Sequence, residues 1–217
     1  MSVLLDNLDL FVRGFLGTIQ LFVIAAIGSL VVGGVLAAMR VSPVPFLRGA
    51  GMTYVNIVRN TPLTLVLFFF AFAWNRLGIV TLPFFALAAT GLIVYTAAFV
   101  CEAVRSGINS VSTGQAEAAR AIGLTFGQSL RFVVLPQALR SVVPPVGSVL
   151  IAMVKNSAIV GAFGVGGELF NVGASLTGAQ GFAALPVLTG VVLGYLAITI
   201  PAGVGLAALE HKVAVAR

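Results

Sequence analysis

Between Arg13 and Arg40 the chain runs for 26 residues without a charged side chain. At about 1.5 Å per residue such a helix is long enough to cross the ~30 Å hydrocarbon core of a bilayer. Further long apolar runs follow, and only 8% of the residues are charged while 59% are hydrophobic. A soluble domain carries about 25% charged residues, so this chain lacks the polar surface that water would have to cover. That composition excludes a disordered chain, a disulfide-stapled secreted module and a typical cytosolic enzyme. The sequence is that of an integral membrane protein.

The apolar runs predict an all-α membrane domain, 1–217, with five transmembrane helices at about 14–39, 54–74, 82–104, 141–163 and 182–209. The runs are continuous and lack period-two alternation, which argues against β-barrel strands. Residues 1–7 hold an acid and no base, so the first run is read as a retained helix rather than a signal peptide. Placing the N-terminus outside puts nine basic residues on cytoplasmic segments (Arg40, Arg48, Arg59, Arg105, Arg120, Arg131, Arg140, Lys212, Arg217) and leaves Arg13 and Arg76 outside. Positive charge favours the cytoplasmic side, which fixes the expected orientation and a multi-pass plasma-membrane location. The net charge of +6 is thereby read as loop bias, not nucleic-acid binding.

One segment departs from the membrane pattern. Residues 105–140 form the longest polar stretch and fall between the third and fourth spans, on the cytoplasmic side. Thr113-Gly114-Gln115-Ala116-Glu117 supplies turn and capping residues ahead of alanines, so a helix is predicted there. Gly123 predicts a turn, and Pro136 is expected to close the second helical piece. Loops of this length in compact proteins are usually functional or disordered, and this composition is not that of disorder. A structured docking element is expected.

Within this segment Glu117-Ala118-Ala119 is followed by three residues, Gly123, nine residues, Val133, one residue and Leu135-Pro136. That spacing resembles the cytoplasmic signature of the permeases of ABC-type importers. Val58-Arg59-Asn60-Thr61-Pro62-Leu63, Gly114-Gln115, Pro136-Gln137-Ala138-Leu139-Arg140 and Lys155-Asn156-Ser157 resemble the polar-amino-acid branch of that family. Arg40-Val41-Ser42-Pro43-Val44 and Arg105-Ser106-Gly107-Ile108-Asn109 are similar to the glutamate permeases of actinobacteria. The resemblance implies a five-helix, type I importer permease that moves a polar amino acid, glutamate first. It further implies a cytoplasmic ATPase dimer, a second permease subunit (a related chain or an identical copy) and an extracellular solute-binding protein. Gly114, Glu117, Ala118, Ala119, Gly123, Leu135 and Pro136 would then form the coupling element that docks on the ATPase.

The residues agree about what is missing. No GxxxxGK[ST] loop and no GxGxxG fingerprint occur, so ATP and Mg are expected on the ATPase, with no cofactor on this chain. One histidine and one cysteine do not make a metal site, and no nucleophile–base or paired-carboxylate set suggests an enzyme. A secondary carrier or channel without an ATPase is the alternative; five spans without an internal repeat argue against it.

The substrate-pathway candidates are polar groups inside spans. If the fourth helix begins near Pro144-Pro145, Lys155 lies about 15 Å along it, where a charge costs at least about 2.5–3.5 kcal/mol. Its expected partners are substrate carboxylates or Glu102, with Asn156 and Ser157 alongside. Asn60 or Thr61 could cap a helix that starts at Pro62, aiming its N-terminus and Arg59 at an anion. Glu102 and Arg105 are spaced to pair along one helix. Glu168 is expected on the outer side, facing a binding protein or a gate.

Overall fold

The structure is a computed structural model and describes residues 2–164 and 167–213. Among those residues the regular structure is entirely helical. A short α1 (Ser2–Asp6) leads into α2 (Leu8–Val41), followed by α3 (Pro45–Arg59) and α4 (Leu63–Phe68). α4 continues through a π turn, Phe69–Ala73, and a 3-10 turn, Trp74–Leu77. Then come α5 (Phe84–Asn109), α6 (Thr113–Ala121), α7 (Phe126–Ser129), α8 (Leu135–Ala162), α9 (Leu169–Gly178) and α10 (Ala184–Val213).

The helices Leu8–Val41, Phe84–Asn109, Phe126–Ala162 and Ala184–Lys212 are each long and apolar enough to cross a membrane. α2, with 34 residues, measures about 51 Å, so it must tilt or project beyond a ~30 Å core. The expected second span is not one straight helix. Pro45–Arg59 and Leu63–Leu77 meet at a 99° bend, and together they supply the fifth candidate span. The break has a local cause. Thr61 Oγ1 donates to the Ile57 carbonyl and Asn60 Nδ2 to that of Asn56, each at 2.8 Å, which closes α3. Pro62 then has no N–H with which to continue the ladder. Asn60 and Thr61 therefore end one helix instead of capping the next, whose N-cap is Pro62.

The fourth span also begins elsewhere than its prolines suggest. Pro136 stands in the first turn of α8, where a missing N–H costs nothing, and a π turn over Leu130–Val134 joins it to α7. It opens the helix instead of closing the preceding piece. Pro144 and Pro145 lie within α8 and do not start it.

Three apolar clusters hold the bundle. Leu21, Ala25 and Ala26 of α2 meet Leu63 and Leu67 of α4, Ala88, Ala89 and Leu92 of α5, and Met153 and Val160 of α8. Towards the other end of α2, Leu36 and Ala37 pack on Val55 and Val58 of α3 and on Ala97, Ala98 and Cys101 of α5. Phe11 joins Leu169 and Leu176 of α9 to Val187 and Val191 of α10. Lipid tails are as apolar as leucine, so helix association in a membrane depends on close packing at small residues. A Cβ added to Gly33 would stand 2.6 Å from Val100 Cγ1 and 2.9 Å from the Ala97 carbonyl oxygen. Gly28, Gly91, Gly147, Gly190 and Gly194 are likewise filled by neighbouring side chains, whereas Gly34 faces open space.

Candidate functional site

Two polar regions stand apart from this apolar frame: an exposed platform between α5 and α8, and a charged cluster inside the bundle. The platform starts where α5 ends at Asn109, and α6 follows after three residues. Gly123 has φ +91°, a conformation a β-carbon disfavours. Its N–H donates to the Arg120 carbonyl at 2.9 Å, and the Leu124 N–H donates to that of Ala119 at 3.1 Å. This paired closure is the Schellman turn that glycine favours at a helix end. Thr125 and Gln128 then cap α7 reciprocally, the Thr125 N–H donating to Gln128 Oε1 at 2.9 Å. Thr-x-x-Gln is a readable capping signature that the sequence reading passed over.

Ala119 is buried against the chain, while Gly114, Glu117 and Ala118 are exposed. Glu117 is the fifth residue of α6 and stands beyond its first turn, so it interacts little with the helix N-terminus. Ile122 and Phe126, on either side of the glycine turn, are 80% and 75% exposed. Leu135 and Pro136 are exposed at the start of α8. The platform thus presents large apolar side chains, Ile122 and Phe126 foremost, beside a small-residue helix, held by backbone turns.

The charged cluster centres on Glu102, near the C-terminal end of α5. One carboxylate oxygen accepts a hydrogen bond from Arg40 of α2. The other accepts from Arg105 Nη2 at 2.9 Å and Nε at 3.2 Å. Arg59, at the end of α3, approaches the first oxygen to 3.7 Å, an ion pair without a hydrogen bond. The Arg59 guanidinium lies 5.6 Å from the centroid of the Phe99 ring. Phe99 in turn lines a cavity of about 140 Å³ with Tyr95 and Thr96 of α5 and Val149, Ala152 and Asn156 of α8. Of the sequence candidates, Asn156 lines this cavity, whereas Arg59 stands over Phe99 and is not one of the lining residues. Tyr95, Thr96 and Phe99 were not singled out, because in an apolar run they read as packing.

The other candidates fall differently. Glu102 is occupied by arginines and not by Lys155, which is exposed on α8 and makes no ion pair among the described residues. Lys155 is also seven residues from the end of α8, about 10 Å, and not at the depth a start near Pro144 would give. Ser157 is buried and donates to the Val154 carbonyl at 2.8 Å, so it faces the core.

Glu168 is only 2% exposed, which removes it from any surface where a partner could touch it. It is the N-cap of α9, one carboxylate oxygen accepting from Phe170 N at 2.7 Å and Asn171 N at 3.2 Å. The other accepts from Thr18 Oγ1 of α2 at 3.3 Å and from the Tyr195 hydroxyl of α10. Burial pushes its carboxyl up to about 7, opposed by these hydrogen bonds. The residue binds three helices together.

A bundle of bilayer-length helices with an exposed polar platform between two of them and an arginine–glutamate cluster at the end of α5 fits a membrane permease subunit. The chain belongs to the family of binding-protein-dependent transport system inner membrane components, which it matches over residues 29–214. It is 43% identical to the glutamate transport system permease protein GluC of Corynebacterium efficiens over 91% of both chains. It is 39% identical to the probable glutamine ABC transporter permease protein GlnM of Bacillus subtilis, over 97% of this chain and 96% of that one. The crystal structure of an amino acid ABC transporter with histidines superposes with a TM-score of 0.90, at 26% identity and 97% coverage of each chain. The MetNI methionine ABC transporter in an inward-facing conformation follows at a TM-score of 0.78 and 25% identity, covering 97% of this chain and 99% of that one. The protein is a multi-pass permease of an amino-acid ABC importer in the plasma membrane.

Proposed function

We propose that this subunit imports glutamate, or a closely related polar amino acid, together with a second permease chain, two ATPase subunits and an extracellular binding protein. The N-terminus is outside and the C-terminus cytoplasmic, consistent with the basic residues around the platform. ATP and Mg are held by the ATPase; this chain contributes the pathway and the contact that passes motion to it. Gly114, Glu117, Ala118, Gly123, Leu135 and Pro136 form that contact, with Ala119 packed beneath it.

The observation that carries the reading is the platform at residues 113–136. Glu117 and Ala118 face outward, and Ile122 and Phe126 stand 80% and 75% exposed around the glycine turn. Large apolar side chains presented on a small, rigid surface favour burial in a protein groove. Glutamate as the cargo is supported by the 43% identity to GluC and by Arg59, which stands over Phe99 beside the cavity that Phe99 lines. Lys155, Asn156, Arg59, Asn60 and Thr61 are the polar groups along the route.

The test is reconstitution of the complex in proteoliposomes with binding protein and ATP inside. ATP-dependent accumulation of labelled glutamate, abolished by omitting the ATPase, is the expected result. Equal uptake without ATPase would identify a carrier or channel instead.

A further inference from the structure

The charge around Glu102 is unbalanced: three guanidiniums, of Arg40, Arg59 and Arg105, face a single carboxylate. The three are not held alike. Arg40 and Arg105 are hydrogen-bonded to Glu102, and the Arg40 side chain is 11% exposed. Arg59 stands at 3.7 Å, is 46% exposed and lies over the face of the Phe99 ring. Its N–H groups make no hydrogen bond among the described residues, and the ring beneath it forms a wall of the cavity that Asn156 also lines. A guanidinium held by a loose ion pair and an aromatic face keeps its planar fork of donors for a carboxylate, which it can bind bidentately.

We infer that Glu102 is the resting counter-ion of Arg59, and that Arg59 exchanges it for a carboxylate of the amino acid as substrate occupies the cavity. This rests on the pathway reading above and deepens it. Glu102 is thus a positioning residue: it competes with the substrate for Arg59 and keeps anion binding weak enough for release. Its hydrogen bonds to Arg40 and Arg105 limit that competition, because both oxygens are already engaged. No bond is made or broken; one ion pair replaces another.

The experiment measures equilibrium binding of labelled glutamate and glutamine to the purified complex without binding protein, and turnover in proteoliposomes. Glu102→Gln should tighten glutamate binding about 2- to 5-fold, the range of a partly exposed ion pair, and slow turnover. Glu102→Asp should restore the wild-type values. Arg59→Gln should weaken binding, and in its background Glu102→Gln should no longer change affinity. A purely structural role for Glu102 would lower the yield of complex without altering affinity, and that result overturns the inference. So does a Glu102→Gln effect that persists without Arg59, since it would report a general field. Should Glu102→Gln fail to assemble, Arg40→Gln serves: relieved of Arg40, Glu102 should hold Arg59 more firmly and weaken glutamate binding, again only where Arg59 is present. Unchanged affinity in Arg40→Gln overturns the inference. Absence of ATP-driven amino-acid uptake by the wild type would instead overturn the proposed function.

Discussion

The Tyr195 hydroxyl of α10 donates a hydrogen bond to the carboxylate of Glu168, which also caps α9 and accepts from Thr18 of α2. One buried acid thereby joins the first long helix to the last through a short helix between them. Gly161 of α8 is part of the same junction, because a Cβ there would run into Glu168 Oε2.

This junction should make stability depend on pH with an uncommon sign. The Glu168 carboxyl is raised from 4.5 to about 7 in the fold, so between those values the folded state holds a proton that the unfolded chain releases. The corresponding stability is complete below the unfolded value and is lost as pH rises through the folded one. From about pH 5.5 to about pH 8 the loss is roughly 2 kcal/mol, or several degrees at about 2–4 °C per kcal/mol. Thermal unfolding of the purified complex should show this fall in the wild type and a flatter profile in Glu168→Gln. Parallel profiles would assign the pH dependence to other groups.

Gly123→Val should be inserted normally yet uncouple transport. At φ +91° a β-branched side chain is strained by about 1–3 kcal/mol, enough to reshape the turn between α6 and α7. Glu117→Lys reverses an exposed charge on the same platform. Both should reduce ATPase binding, or leave binding intact and abolish stimulation of hydrolysis by the loaded binding protein. Wild-type rates of hydrolysis and uptake in both variants would take the coupling role away from these residues.

Lys155→Met should impair uptake more than expression. The side chain is exposed on α8 and makes no ion pair among the described residues, so its removal breaks no counter-charge. A charge within a span is also costly to insert. Uptake assays normalised to the amount of assembled complex decide the matter: wild-type transport would remove Lys155 from the pathway.

Topology can be read with single cysteines in a Cys101→Ala background, since Cys101 is the chain's one cysteine and is buried. Leu8→Cys and Gln180→Cys should react with impermeant reagent from outside, and Gln115→Cys only from inside. All three positions are exposed. Labelling at position 8 from the cytosol would invert the orientation set by the basic residues.

How much of this was readable depends on the range of the interaction. Gly123 was legible as a turn because its need for φ above zero is a property of one residue and its immediate helix end. The pairing of Glu102 with Arg105 was legible because three residues separate them on one helix. The 99° break after Arg59 was not, although Asn60-Thr61-Pro62 marked the place. The same residues can start a helix or end one, and the bonds back to Asn56 and Ile57 decided for ending. Pro136 was misread for a similar reason, since a proline suits a first turn as well as a terminus.

By itself the sequence determined the membrane class, the places where helices had to form, and the platform signature from Glu117 to Pro136. Those features are written in run length and local spacing, which the bilayer and the backbone enforce without reference to distant residues. Only the tertiary structure decided that Arg40 meets Glu102 across 62 positions and that Thr18 meets Glu168 across 150. It also decided that Glu168 is buried, that Asn156 shares a cavity with Phe99 and that Arg59 lies over that ring. The reason is physical. A helix in water shows its buried face by an apolar stripe, but helices such as α2 and α10 are apolar on every side, so their rotation is set by glycine contacts and by the few polar groups that find each other.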